Sequence, residues 1–264
     1  MRYLGGKFRQ GPAIAAKVMP FLREDLGHGQ PTYIEPFCGA LGSAIRVADA
    51  MWDSGFFCSV MLSDVQPALI TMWKAVLAGW IPPDVVTEEQ YNRLKRTQDP
   101  KDPMTAFAGY GCAFAAKYFG TYARCDRYNH DMVQPYARQA KQSILAKLES
   151  LKKIEPVLTM ECLDYRGYED VKGAVFYLDP PYTGRTAQNS KIEKFDSKAL
   201  WDFARRLTQH NVVFVSEFIW PDDFVVVHSW GDTVVRHWGG TGSDGTCEAL
   251  VCLRGSVGER AKVA

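Results

Sequence analysis

The chain has 264 residues, 47% of them hydrophobic and 23% charged, with a formal net charge of +1. At roughly 100–200 residues per domain, this length predicts one large domain or one domain carrying a smaller insertion. The composition excludes a disordered chain, a collagen and a disulfide miniprotein. No apolar run reaches the roughly 18 residues that a bilayer span requires, and Met1-Arg2-Tyr3-Leu4-Gly5-Gly6-Lys7 lacks a signal-peptide core. The expectation is a protein neither membrane-spanning nor secreted. Seven cysteines (38, 58, 112, 125, 162, 247 and 252) form no Cys-x-x-Cys pair, and with five scattered histidines they give no zinc spacing. They suit packing roles in a reducing cytosol.

The small net charge hides an asymmetry. Residues 91–153 hold twelve Lys/Arg against five Asp/Glu, a balance of +7, while the remainder carries −6. A basic segment in a mildly acidic frame is expected where one part meets a polyanion, although a solvated helical surface has the same composition.

In chain order, Thr32-Tyr33-Ile34-Glu35 reads as a short strand ending in Pro36-Phe37-Cys38-Gly39, and a helix follows from Ser43 to about Met51. Val60 to Ser63 reads as a second strand stopping at Asp64, and Pro67 to Leu77 as a helix with proline in its first turn. Strand, turn, helix, strand, acid, helix opens a parallel α/β sheet. The pattern breaks near Gly79 and Pro82-Pro83. Residues 104–128 are rich in glycine and aromatics, and Tyr136, Ala140, Ile144, Leu148 and Leu151 then recur at helical spacing. With no βαβ unit visible, 80–153 reads as an insertion. Strand patterns resume at 156–160, 174–178 and 211–216, with a helix capped by Ser197 and running to Leu207. Three last β-prone runs (224–228, 233–238 and 247–253) have no helices between them, which predicts an antiparallel edge.

The sharpest chemical feature is Asp179-Pro180-Pro181-Tyr182, at the end of the apolar run 174–178. Ligands of open α/β sheets sit beyond the carboxyl ends of strands. An exocyclic amino group on a nucleobase is a poor nucleophile, because its lone pair is delocalised into the ring. The Asp179 carboxylate and the Pro180 carbonyl can accept both of its hydrogens and draw the nitrogen towards tetrahedral geometry. Two prolines fix φ at successive positions, and Tyr182 offers a ring face for stacking. A plain proline-rich strand exit is the alternative. Glycines in Glu35-Pro36-Phe37-Cys38-Gly39-Ala40-Leu41-Gly42 allow close backbone approach to a ligand, but the spacing is not Gly-x-Gly-x-x-Gly. Asp64, at a strand tip, can receive ribose hydroxyls or cap a helix.

Arg2-Tyr3-Leu4-Gly5-Gly6-Lys7, Glu35-Pro36-Phe37-Cys38-Gly39, Asp64 and Asp179-Pro180-Pro181-Tyr182 occur in this order, and the chain from residue 2 to about 253 therefore resembles the Dam-type adenine-specific DNA methyltransferases. The resemblance implies an α/β, Rossmann-like, S-adenosylmethionine-dependent methyltransferase sheet (1–79 and 154–264) with an inserted, mainly helical target-recognition domain (80–153). It implies a catalytic role for Asp179, Pro180, Pro181 and Tyr182. Tyr3 and Lys7 match the N-terminal cofactor motif, where the family more often has Trp in place of Tyr. Phe37, Gly39 and Gly42 match the Phe-x-Gly-x-Gly turn at the methionine moiety, although the spacing here is one residue longer. Asp64 matches the ribose acid. Asp164 resembles the acid near the cofactor's adenine, and a surface aspartate is the other reading. The segments Val215-Ser216-Glu217 and Glu248-Ala249-Leu250-Val251 look familial but receive only structural roles.

The Gly- and aromatic-rich stretch 104–128 is similar to a segment common among phage-type members. Lys117, Tyr118, Tyr122, Arg124 and Arg127 are expected to contact phosphates and base edges of double-stranded DNA, with Phe107, Phe114 and Phe119 inside the insertion. The implied activity is methyl transfer to adenine N6 after base flipping, without a metal, in the cytoplasm of a bacterial cell. Transfer to cytosine N4 is the nearest rival, but the family's cytosine members more often have Ser at the position of Asp179. A nicotinamide oxidoreductase lacks its glycine fingerprint here. A silent DNA-binding module would not need the tetrapeptide.

Overall fold

The computed structural model describes residues 5–124, 135–181, 195–231 and 247–262. Helix α1 (Gly11–Leu22) precedes the first strand, β1 (Thr32–Glu35), and α2 (Ala44–Ser54), β2 (Val60–Asp64) and α3 (Pro67–Leu77) follow. The inserted segment adds α4 (Glu88–Thr97), α5 (Pro103–Gly111) and the long α6 (Pro135–Ile154). The sheet resumes with β3 (Leu158–Cys162) and β4 (Ala174–Leu178), then α7 (Ser197–Leu207), β5 (Val212–Glu217), β6 (Phe224–Ser229) and β7 (Ala249–Leu253).

Seven strands form one sheet in the order β3-β2-β1-β4-β5-β7-β6. The first five are mutually parallel, and β7 runs antiparallel to both β5 and β6. This is an α/β, Rossmann-like sheet, with the antiparallel edge expected from the C-terminal β runs. Beyond β1 the chain winds to one side through β2 and β3, then returns to place β4 on the other, with Ile34 opposite Phe176. The sheet's topological switch point therefore lies between the carboxyl ends of β1 and β4, where an open α/β sheet holds its ligand.

Central strands are apolar because both faces are covered. Every residue of β4 and β5 is buried, and each face has its own core cluster. Apolar residues of α4, α5 and α6 (Tyr91, Phe107, Ile144 and Leu151) belong to the same cluster as Ile14 of α1 and Val60 of β2. The inserted helices thus extend one face's core. Helix α1, which was not among the expected elements, is held by Ile14, Val18, Phe21 and Leu22, an apolar stripe at helical spacing. Three boundaries also differ. Strand β2 includes Asp64; Asp196, not Ser197, caps α7 by accepting from the Ala199 N–H; and a 3₁₀ turn at Glu155–Val157 delays β3. The β run expected at 233–238 lies outside the described residues. Among the described residues, no helix is long and apolar enough to cross a membrane.

Candidate active site

Strand β4 delivers Asp179 and Pro180 at the switch point, and β1 delivers the turn 36–43 beside them. Asp179 does not stand alone. Lys7, whose side chain is only 2% exposed, places Nζ 2.7 Å from Asp179 Oδ1 and 3.1 Å from Glu248 Oε1, and donates to the Gly5 carbonyl at 2.9 Å. Burial raises the Asp179 pKa to about 6 against the opposing pull of Lys7, and burial also raises that of Glu248. Burial alone would lower the Lys7 pKa, but the two carboxylates outweigh it and leave it raised. At neutral pH this is an ammonium clamped between two carboxylates.

A third carboxyl, fully buried, lies nearby. Glu35 accepts from Tyr33 Oη at 2.8 Å and Ser43 Oγ at 2.5 Å, and burial pushes its pKa up to about 8. On the neighbouring strands, Tyr177 Oη and Ser216 Oγ share a hydrogen bond of 2.8 Å. Neither Glu35 nor Glu248 was singled out from sequence for the site. The available signal was an acid closing an apolar strand (Glu35) or opening one (Glu248), where an unpartnered charge would be costly.

The turn after β1 is wound tightly. Gly39 has φ +47° and Leu41 φ +61°, the left-handed region that L-residues avoid at a cost of about 1–2 kcal/mol. By count from Phe37, Leu41 occupies the second glycine position of the Phe-x-Gly-x-Gly turn. The positive φ falls there rather than at Gly42. A Cβ on Gly42 would sit 2.6 Å from the Lys7 nitrogen and 2.7 Å from that of Phe8. Its hydrogen lets the backbone carrying Lys7 approach the turn.

Asp64 bridges the turn to β2. Its Oδ2 accepts from the Gly39 N–H at 3.0 Å and Oδ1 from the Gln66 N–H at 2.9 Å, and burial lifts its pKa to about 6. Each oxygen retains acceptor capacity for a ribose hydroxyl. Phe37 is half-buried against Tyr165 and Phe195, with ring centroids 5.4 and 6.1 Å away. Asp164 lies beyond β3 and accepts from both the backbone N–H and the guanidinium of Arg166, whose bonds lower its pKa. Pro181 is exposed. Tyr3, Tyr182 and Arg127 lie outside the described residues.

The inserted segment differs from expectation at several points. Phe107 and Phe119 are buried, but Phe114 is 64% exposed, because the chain turns through a left-handed Ala115 immediately after it. The Tyr118 ring packs 4.6 Å from Tyr110 and fills the space over Gly109. The Tyr122 ring packs against Tyr91 while its hydroxyl donates to the Val86 carbonyl at 2.8 Å. Both tyrosines are part of the segment's packing. Arg124 is paired with Glu88, and Lys117 is exposed.

No protein-family model matches the chain, and no curated protein does. Among solved structures the chain is similar to the rRNA methyltransferase aviRa from Streptomyces viridochromogenes. One structure of that protein gives 14% identity and a TM-score of 0.43, covering 96% of this chain and 86% of that chain. A second gives 13% and 0.42, covering 97% and 87%. At this level the likeness extends no further than the general plan of the fold.

Proposed function

We propose that the chain is an S-adenosylmethionine-dependent methyltransferase acting on the N6 amino group of adenine in DNA. The observation that carries this reading is Asp179, its side chain 15% exposed, presented with Pro180 at the switch point and clamped by Lys7. Such a carboxylate is of little use to a structural turn and well suited to accept a hydrogen bond from an exocyclic amine. The residues around it fit the cofactor. The Phe37–Gly42 turn would hold its methionine end and Asp64 its ribose. When bound, S-adenosylmethionine supplies the methyl group and departs as a thioether.

Asp179 accepts one N–H of the flipped base and the Pro180 carbonyl accepts the other, so the nitrogen lone pair is released from the ring. Lys7 is a positioning residue: it fixes one Asp179 oxygen and favours the ionised form. Tyr182 follows immediately in sequence and is proposed to stack on the base. The nitrogen's surplus proton leaves once the new N–C bond has formed. Aspartate rather than serine at 179 favours adenine over cytosine, and the +7 balance of residues 91–153 suits a polyanionic substrate.

The test is incubation with methyl-labelled cofactor and either plasmid DNA or ribosomal RNA, followed by nucleoside mass analysis. N6-methyladenine in DNA is the expected product. Label confined to RNA or to cytosine would overturn the substrate, and no transfer to either nucleic acid would overturn the reaction.

A further inference from the structure

Two carbonyls of the turn after β1 accept side-chain donors. Trp73 of α3 donates Nε1–H to the Gly39 carbonyl at 3.1 Å, and Lys147 of α6 donates its ammonium to the carbonyl of Ala40. Lys147 belongs to the inserted segment yet is only 6% exposed, with Nζ 5.8 Å from the centroid of the Trp73 ring. An ammonium carries a full charge and three donors. Here it meets one neutral acceptor and an aromatic face, and no carboxylate partner among the described residues. Burial accordingly pushes its pKa down to about 8.

Other lysines at this edge are treated differently. Lys153, further along the same helix, pairs with Asp49 at 2.8 Å, and Lys7 has two carboxylates. A buried cation without a counter-charge is unfavourable unless an anion arrives with a ligand. The turn it touches is the one assigned to the amino-acid end of the cofactor, which carries a carboxylate. We propose that Lys147 is a cofactor-binding residue contributed by the inserted segment, its ammonium serving as counter-charge to the α-carboxylate of S-adenosylmethionine. The proposal rests on the methyltransferase reading. It ties the cofactor's occupancy to the position of α6, and so to the segment proposed to meet DNA.

Calorimetry with four ligands tests it: S-adenosylmethionine, its decarboxylated form, S-adenosylhomocysteine, and 5′-methylthioadenosine, which lacks the amino-acid arm. Wild-type protein is expected to bind the two carboxylated ligands at least tenfold more tightly than the two others. Lys147→Gln keeps a donor for the Ala40 carbonyl but loses the charge, and Lys147→Met loses both. Each is expected to weaken the carboxylated ligands about tenfold and to leave the others within about twofold. Equal weakening of all four would make Lys147 a mere brace for the turn and overturn the proposal. Equal wild-type affinity for S-adenosylmethionine and its decarboxylated form would overturn it without any variant. A wild-type chain that binds none of the four overturns the methyltransferase reading, and this proposal with it.

Discussion

Asp179 serves the proposed reaction only as a carboxylate, and its environment sets the pH at which it becomes one. Burial raises its pKa to about 6, so acid protonates it and removes an acceptor from the amino group. The turnover rate is therefore expected to fall about tenfold per pH unit below an apparent pKa near 6. That value belongs to the coupled set of Asp179, Lys7 and Glu248. A single-turnover profile that stays flat down to pH 5 would remove Asp179 from this role. Gly42 makes a purely steric prediction. Gly42→Ala drives a Cβ to within 2.6 Å of the Lys7 backbone nitrogen, and backbone yields poorly. It is expected to destabilise the fold by about 1–3 kcal/mol and to weaken cofactor binding, because Lys7 moves with the backbone. Thermal unfolding together with calorimetry checks both, and an unchanged melting temperature would contradict the close approach. Asp64→Ala should raise KM for the cofactor more than it lowers kcat, since a ribose contact serves ground and transition states alike. Steady-state kinetics showing the opposite split would leave Asp64 only its bonds to Gly39 and Gln66.

Among the elements, the central strands were legible because they are buried on both faces and read as unbroken apolar runs. The ranges Thr32–Glu35 and Ala174–Leu178 are the same in sequence and structure. The reason Asp179 is held was not legible: Lys7 and Glu248 lie near opposite ends of the chain, and only the winding of the sheet brings them together. Helix α1 was not among the expected elements although Ile14, Val18 and Leu22 repeat at intervals of four. In the inserted segment, sequence gave the charge but not its pairing. Arg124 meets Glu88, Lys141 meets Asp84 and Lys153 meets Asp49, so part of the surplus is already compensated within the protein. The contributions to DNA binding should then be unequal. Lys117→Ala is expected to flatten the slope of log affinity against log salt by about one unit, and Arg124→Ala by less, because Glu88 partly neutralises that guanidinium. Salt-titrated fluorescence anisotropy on a DNA duplex measures both. An unchanged slope for Lys117→Ala would move the DNA surface elsewhere.

For the whole molecule, the fold converts one topological fact into a site. Strands β1 and β4 are adjacent while their connections leave in opposite directions, so a crevice opens at their carboxyl ends. Into it project a strained glycine turn from β1, a clamped aspartate from β4, a lysine from the N-terminal segment and a glutamate just before β7. The inserted helices share the sheet's core rather than forming one of their own, which lets Lys147 of α6 reach the turn. Such an arrangement sets the proposed cofactor and base sites and the basic segment on one shared core. The most direct test of the central claim is nucleoside analysis of DNA from a bacterial host that lacks adenine methylation and expresses either the wild-type chain or Asp179→Ala. The account predicts N6-methyladenine at a recurring sequence with the wild type, and less than about a tenth of it with the variant, a loss on the order of 1.4 kcal/mol or more in transition-state stabilisation. Unmodified adenine with the wild type, or equal modification by both proteins, would contradict it.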